Sequence, residues 1–173
     1  MKIRYKVLEH ERVEDSPFIG AVISAIDCWD NCPCCFNQHL MSLETMIADA
    51  AEIIAEVKSN PINEGIILAG LEWTLQPEEM FNLLYTARKA ELKTMLYTSM
   101  TGNEFLRWFA LEQKARSPFG SGFLTFQNGV SHYLNYIKFG FYDETQKTEG
   151  YSSCNVSLAS RNQYVREITQ HEN

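Results

Sequence analysis

Four of the five cysteines in this chain fall within eight positions, in the run Cys28-Trp29-Asp30-Asn31-Cys32-Pro33-Cys34-Cys35-Phe36-Asn37. Such crowding asks for a chemical reason. Cys28, Cys32 and Cys35 have the spacing C-x3-C-x2-C. Three thiolates on one loop can hold three irons of a [4Fe–4S] cubane and leave the fourth iron without a protein ligand. An open iron can be chelated by the amino and carboxylate groups of S-adenosylmethionine (SAM). A reduced cluster of low potential can then pass an electron into the sulfonium. Zinc is a competing occupant. Structural zinc takes four ligands, usually from two paired knuckles. The fifth cysteine, Cys154, is remote, and His39 would complete a site only at an unusual spacing. A loop of buried free thiols is the third reading. Cys34 adjoins Cys35, and neighbouring side chains point in different directions, so Cys34 is expected outside the ligand set.

Elements must position that loop. Residues 18–26 are apolar and small, and read as a buried strand running into the cysteines. Residues 3–8 form a further short strand. The cysteine loop spans 28–39, with Pro33 and Asn37 as breakers. Ser42 is placed to cap a helix to about Lys58, with Met46, Ile47, Ala50, Ile53, Ile54 and Val57 at helical spacing. Residues 65–69 form a second buried strand, 70–76 a loop, and Pro77 opens a helix to about Ala90. Residues 92–98 form a third strand. Thr101-Gly102 turns the chain, and Asn103 caps a helix through Leu111. Residues 117–129 read as an insertion or hairpin, and 133–139 as a fourth strand. Beyond it the tail shows little periodicity.

Strands alternating with helices imply parallel pairing through right-handed crossovers. The fold class expected is α/β, an open mostly parallel sheet or a partial barrel, because a full eight-strand barrel needs about 200 residues or more. One domain is expected over 1–173, with a core at about 18–140 and a tail at 141–173. Chemistry in such folds sits in loops at the carboxyl ends of the strands. The loops at 28–38, 70–76 and 99–102 should therefore meet on one edge.

Composition narrows the partners. The chain has 173 residues, 45% of them hydrophobic, which suits a packed core. A net charge of -7 argues against nucleic acid as the main partner. No stretch has the length and apolarity of a membrane helix, and residues 1–12 lack the apolar core of a signal peptide. A cytoplasmic location is expected.

The sequence resembles the radical SAM superfamily, and within it the activating proteins of anaerobic ribonucleotide reductase. Four features carry the resemblance, in order. The first is the C-x3-C-x2-C loop followed by Phe36-Asn37. The second is Gly70-Leu71-Glu72-Trp73, where the family has Gly-Gly-Glu/Asp-Pro. The third is Leu96-Tyr97-Thr98-Ser99-Met100-Thr101-Gly102, similar to the family's third strand and Thr-Gly turn. The last is Tyr136-Ile137-Lys138-Phe139-Gly140-Phe141-Tyr142 with Ser160-Arg161-Asn162-Gln163. The resemblance covers 21–165, with 115–131 extra. It implies cluster ligation by Cys28, Cys32 and Cys35, and SAM contacts from Phe36, Asn37, Gly70, Glu72 and Thr98. It implies oxidoreductase chemistry: hydrogen abstraction from a glycine in the large subunit of a glycyl radical enzyme, fed by an external donor such as flavodoxin or ferredoxin. Two other functions stay open. One is a radical SAM enzyme acting on a small molecule, nucleotide or peptide. The other is a non-catalytic metal-binding interaction module.

Overall fold

The run Gly65–Ala69 contains no polar side chain, so it must be covered on both faces. It forms β5, near the middle of a six-stranded sheet with the order β2-β3-β5-β6-β7-β8. The structure is a computed structural model that describes residues 1–30, 32–116 and 129–168. Strands β3 (Gly20–Ser24), β5, β6 (Lys93–Thr98) and β7 (Tyr136–Phe139) run parallel. Strands β2 (Leu8–Arg12) and β8 (Tyr164–Glu167) pair antiparallel at the two edges. A separate two-stranded sheet joins β1 (Lys2–Tyr5) to β4 (Met46–Asp49). The fold is α/β with a mixed, mostly parallel sheet.

Alternation along the strands divides the core. Ala21, Ile23, Ile66, Leu68, Leu96 and Ile137 point to one face. There they meet Ile53 and Val57 of α1 (Ala50–Ser59), Leu83 and Leu84 of α2 (Pro77–Lys89), and Phe105 and Phe109 of α3 (Gly102–Arg116). All three helices therefore bury their apolar stripes in one cluster on one side. Val22, Ile67, Ala69 and Met95 point to the other face and pack against Phe18 and Val156. Among the described residues the covering on that side is irregular chain rather than helix.

Two expectations need correction. Ser42 does not cap a helix. Residues 38–42 form a single 3-10 turn, and the chain then extends as β4. Met46 and Ile47 are exposed, at 47% and 62%. Their helical spacing is overruled by pairing with β1, where Lys2 lies opposite Asp49 and Tyr5 opposite Met46. The helix starts at Ala50, and the Asp49 N–H donates to the Glu52 carboxylate at 2.8 Å. The second correction concerns 3–8, which is two strands with two partners, β1 on β4 and β2 on β3.

The ends of other elements shift by a few residues. The third helix begins at Gly102, where Thr101 and Glu104 hold each other: the Thr101 N–H and hydroxyl both donate to the Glu104 carboxylate at 2.8 Å. The stretch after β7, expected as a tail, supplies β8 and the fully buried Val156. The expected insertion at 117–129 lies almost wholly outside the described residues.

Candidate functional site

Four parallel strands end on the same edge, and the loops that follow them build one cleft of about 150 Å³. Cys28, Cys32, Cys35, Phe36, Asn37, Gly70, Glu72 and Thr98 all line it. These are the eight residues that the sequence singled out. Tyr97, Lys138 and residues 99 and 140–142 are also part of the wall.

The loops are tied to each other by backbone. The Glu72 N–H donates to the Asp27 carbonyl at 3.0 Å, which couples the loop after β5 to the start of the cysteine loop. Gly70 has φ +84°, and a Cβ there would stand 2.4 Å from Ser24 Oγ. Only glycine lets the two strand ends approach so closely. Trp73 follows, at the place where the resembled family has proline. It is fully buried, and its indole N–H donates to the Ile23 carbonyl at 2.9 Å. Trp73 is thus an anchor in the helix-side core. Trp29 is 55% exposed.

The cysteine loop is shaped by a tight turn. The Cys35 N–H donates to the Cys32 carbonyl at 3.2 Å, and the Gln38 amide donates to the same carbonyl at 3.1 Å. Cys34 sits at the turn with φ +59° and is exposed, while Cys28, Cys32 and Cys35 are half-buried. The turn points Cys34 away from the cleft that the other three share. All five cysteines are free thiols. Burial pushes the Cys28 thiol up to about 11, with the Asp30 and Glu72 charges adding to it. Burial also raises Cys32, and Asp30 contributes again. A bound metal would supply positive charge that favours the thiolate forms, and binding it would release their protons.

Among the described residues no three Cys, His, Asp or Glu side chains converge tightly enough to hold a single metal ion. A cubane makes a different demand, because each thiolate binds its own iron and the sulfurs stand further apart. His39 is exposed, and its Nδ1 lies 2.8 Å from the Phe36 carbonyl oxygen. The donor set of three half-buried thiols on one cleft wall fits a three-iron anchor.

Glu72 is 3% exposed and turned into the protein. Its Oε1 accepts from the Thr74 N–H at 3.2 Å and the Thr74 hydroxyl at 2.7 Å. Its Oε2 accepts from the Ser99 N–H at 2.8 Å, the Ser99 hydroxyl at 3.0 Å and the Thr98 hydroxyl at 3.2 Å. Five donors fill a carboxylate that offers roughly four lone-pair sites. Glu72 is therefore a clamp between the loops after β5 and β6. Contact with a ligand's amino group asks one of the three hydroxyls to turn aside.

At the mouth, Phe36 is 63% exposed and tilts against Tyr142, with ring centroids 5.6 Å apart. Sequence reasoning missed Lys138 as a site residue. It lies within the quoted late-strand motif, directly opposite Tyr97 in the sheet register. Its inward direction followed from alternation with the buried Ile137 and Phe139. No protein-family model matches the chain, and no curated protein matches it.

Proposed function

We propose that this chain is a radical SAM enzyme, an oxidoreductase with the partial-barrel winding of that superfamily. One observation carries the reading: the eight residues expected from separate motifs line a single cleft at the carboxyl ends of parallel strands. Among the described residues all three α-helices lie on one face, which supports a barrel-type winding, since a doubly wound sheet carries helices on both faces.

Cys28, Cys32 and Cys35 would hold the [4Fe–4S] cluster in the cleft that the Gly70–Glu72 loop also lines. Held there, the cluster would supply the one-electron chemistry for reductive cleavage of a bound SAM. Gly70 keeps the loop close to the end of β3. Glu72 fixes that loop against Thr98 and Ser99, which presents its backbone to the amino-acid end of SAM. Phe36 offers a ring face at the mouth for adenine, with Asn37 beside it.

The substrate reading favoured by the resemblance is a glycine in the large subunit of a glycyl radical enzyme such as anaerobic ribonucleotide reductase. Flavodoxin or ferredoxin would deliver the electron, in a reducing cytoplasm. Among the described residues no helix is long and apolar enough to cross a membrane. The deciding experiment is anaerobic reconstitution with iron and sulfide, reduction, and addition of SAM. Formation of 5′-deoxyadenosine is expected in the wild type and not in Cys32→Ala. A reconstituted cluster that never cleaves SAM would overturn the reading.

A further inference from the structure

Strand β7 stops at Phe139, and the next element is a 3-10 turn at Glu144–Gln146. Residues 140–143 cross the sheet edge between them, outside any strand, and their backbone groups need partners. The turn Ser160-Arg161-Asn162-Gln163 supplies them. It is closed by the Gln163 N–H, which donates to the Ser160 carbonyl at 3.1 Å. Gln163 Nε2 donates to the Gly140 carbonyl at 3.1 Å, and Asn162 Nδ2 to the Phe141 carbonyl at 2.9 Å. The Asp143 N–H donates to the hydroxyl oxygen of Ser160, which is fully buried, at 3.2 Å. Gln163 is itself oriented, because its Oε1 accepts from the Ala159 N–H at 3.0 Å. Gly140 has φ +101°, and a Cβ there would stand 3.1 Å from the Asn162 carbonyl oxygen. The two segments therefore approach as closely as a glycine permits.

The loop held in this way faces the cysteines. Gly140, Phe141, Tyr142 and Gln163 line the cleft that Cys28, Cys32 and Cys35 share. Tyr142 is buried, and its hydroxyl donates to the Glu144 carboxylate. Its ring meets that of Phe36, the residue after Cys35, at a centroid distance of 5.6 Å. Its backbone N–H is a donor to the Cys32 sulfur. The cysteine loop is thus held at its start by the Glu72 N–H on the Asp27 carbonyl, and further along by the loop after β7. A line of contacts runs from the Gln163 amide through Gly140 and Tyr142 to Cys32.

We propose that Asn162 and Gln163 are positioning residues for the cysteine site: by fixing the loop after β7 they hold Tyr142 against the turn that carries Cys32 and Cys35. This deepens the proposed function and rests on it only for what the cysteines hold. In the metal-free protein the brace limits how often the turn opens, and so how readily Cys32 meets a reagent. In the loaded protein a hydrogen bond donated to a ligating sulfur favours the reduced, more negative state, so the same N–H raises the reduction potential.

The test uses Asn162→Ala and Gln163→Leu, which remove the donors to Phe141 and Gly140. A thermal melt establishes that each is folded, and Asn162→Ala, which gives up a single hydrogen bond, decides alone if Gln163→Leu does not fold. Reduced, metal-free protein is labelled with sub-stoichiometric iodoacetamide, and the labelled cysteines are located by peptide mass spectrometry. Cys32 is expected to label about two- to ten-fold faster than in the wild type, the closure lost with roughly one hydrogen bond. Cys34, already exposed, should keep its rate. After anaerobic reconstitution, a potentiometric titration followed by electron paramagnetic resonance reads the midpoint potential, which should be lower in both variants. Wild-type labelling of Cys32 in the folded variants, or an unchanged potential in their clusters, would overturn the proposal. A wild type that assembles no cluster sinks the proposed function and leaves the labelling to decide this inference.

Discussion

The buried carboxylate of Glu72 accepts the backbone N–H of Ser99 at 2.8 Å, so one side chain fastens the turn after β5 to the turn after β6. Both turns line the cleft. Glu72→Ala would strip acceptors from two N–H groups and three hydroxyls at once. A loss of about 2–4 kcal/mol in folding stability is expected, because buried donors left without partners cost more than a hydrogen bond gains. Urea denaturation measures it. SAM affinity of the reconstituted variant should fall roughly ten- to a hundred-fold, at 1.4 kcal/mol per decade, while iron content stays. Unchanged stability would show that the clamp is dispensable.

Iron content tests the ligand set. Cys28→Ala, Cys32→Ala and Cys35→Ala should each fail to keep about four irons per chain after anaerobic reconstitution, whereas Cys34→Ala and Cys154→Ala should retain them. The first three share the cleft, whereas Cys34 stands exposed at the turn. Equal iron loss in Cys34→Ala would redraw the site.

Gly70→Ala should be disproportionately harmful for a single methyl group. The new Cβ would meet Ser24 Oγ at 2.4 Å and Ser24 Cβ at 2.9 Å, in a left-handed backbone that itself costs an alanine roughly 1–2 kcal/mol. A drop in melting temperature of several degrees is expected. Ser24→Gly in the same chain should recover the steric part and leave the backbone part.

Much of this site was legible because each clue was local. The GIILA run, the Pro77 that opens α2 and the cysteine spacing each announce themselves within a few residues. The β1–β4 pair could not be read that way. Nothing within Met46–Asp49 names its partner, which lies more than forty residues earlier in the chain. Strand β8 was hidden for a related reason. It is a short edge strand with three of its four residues exposed, so it carries no alternation. The role of Glu72 as a clamp was equally invisible, since three of its five donors come from a different loop.

Stability against pH should carry the signature of Lys138. Burial lowers its pKa from the ordinary 10.5 to about 8, against a smaller opposing pull from Asp15. Arg12, Asp15 and Glu9 lie beside it and pair with one another, and the Tyr97 hydroxyl, which burial holds well above its usual range, keeps its proton between pH 7 and 10. Below pH 8 the folded chain bears the full cost of the buried cation. Between about 8 and 10.5 the unfolded chain binds the proton and the folded chain does not, so Lys138 contributes rising stability with pH. Lys138→Met removes that dependence. The difference in stability between variant and wild type should favour the variant most at pH 7 and shift toward the wild type by pH 10. Parallel curves from urea denaturation would contradict this account.

The turn that carries the cysteines is held by a few short backbone and amide contacts, and its side chains are half-buried or exposed. The apolar clusters on both faces of the sheet close without help from iron, apart from Cys28 and Cys154 at their margins. If the proposed cluster is bound, folding and maturation would therefore be successive events rather than one. The polypeptide would reach its native shape as an apoprotein and receive its inorganic part afterwards. Oxygen would then damage the centre while sparing the apolar scaffold.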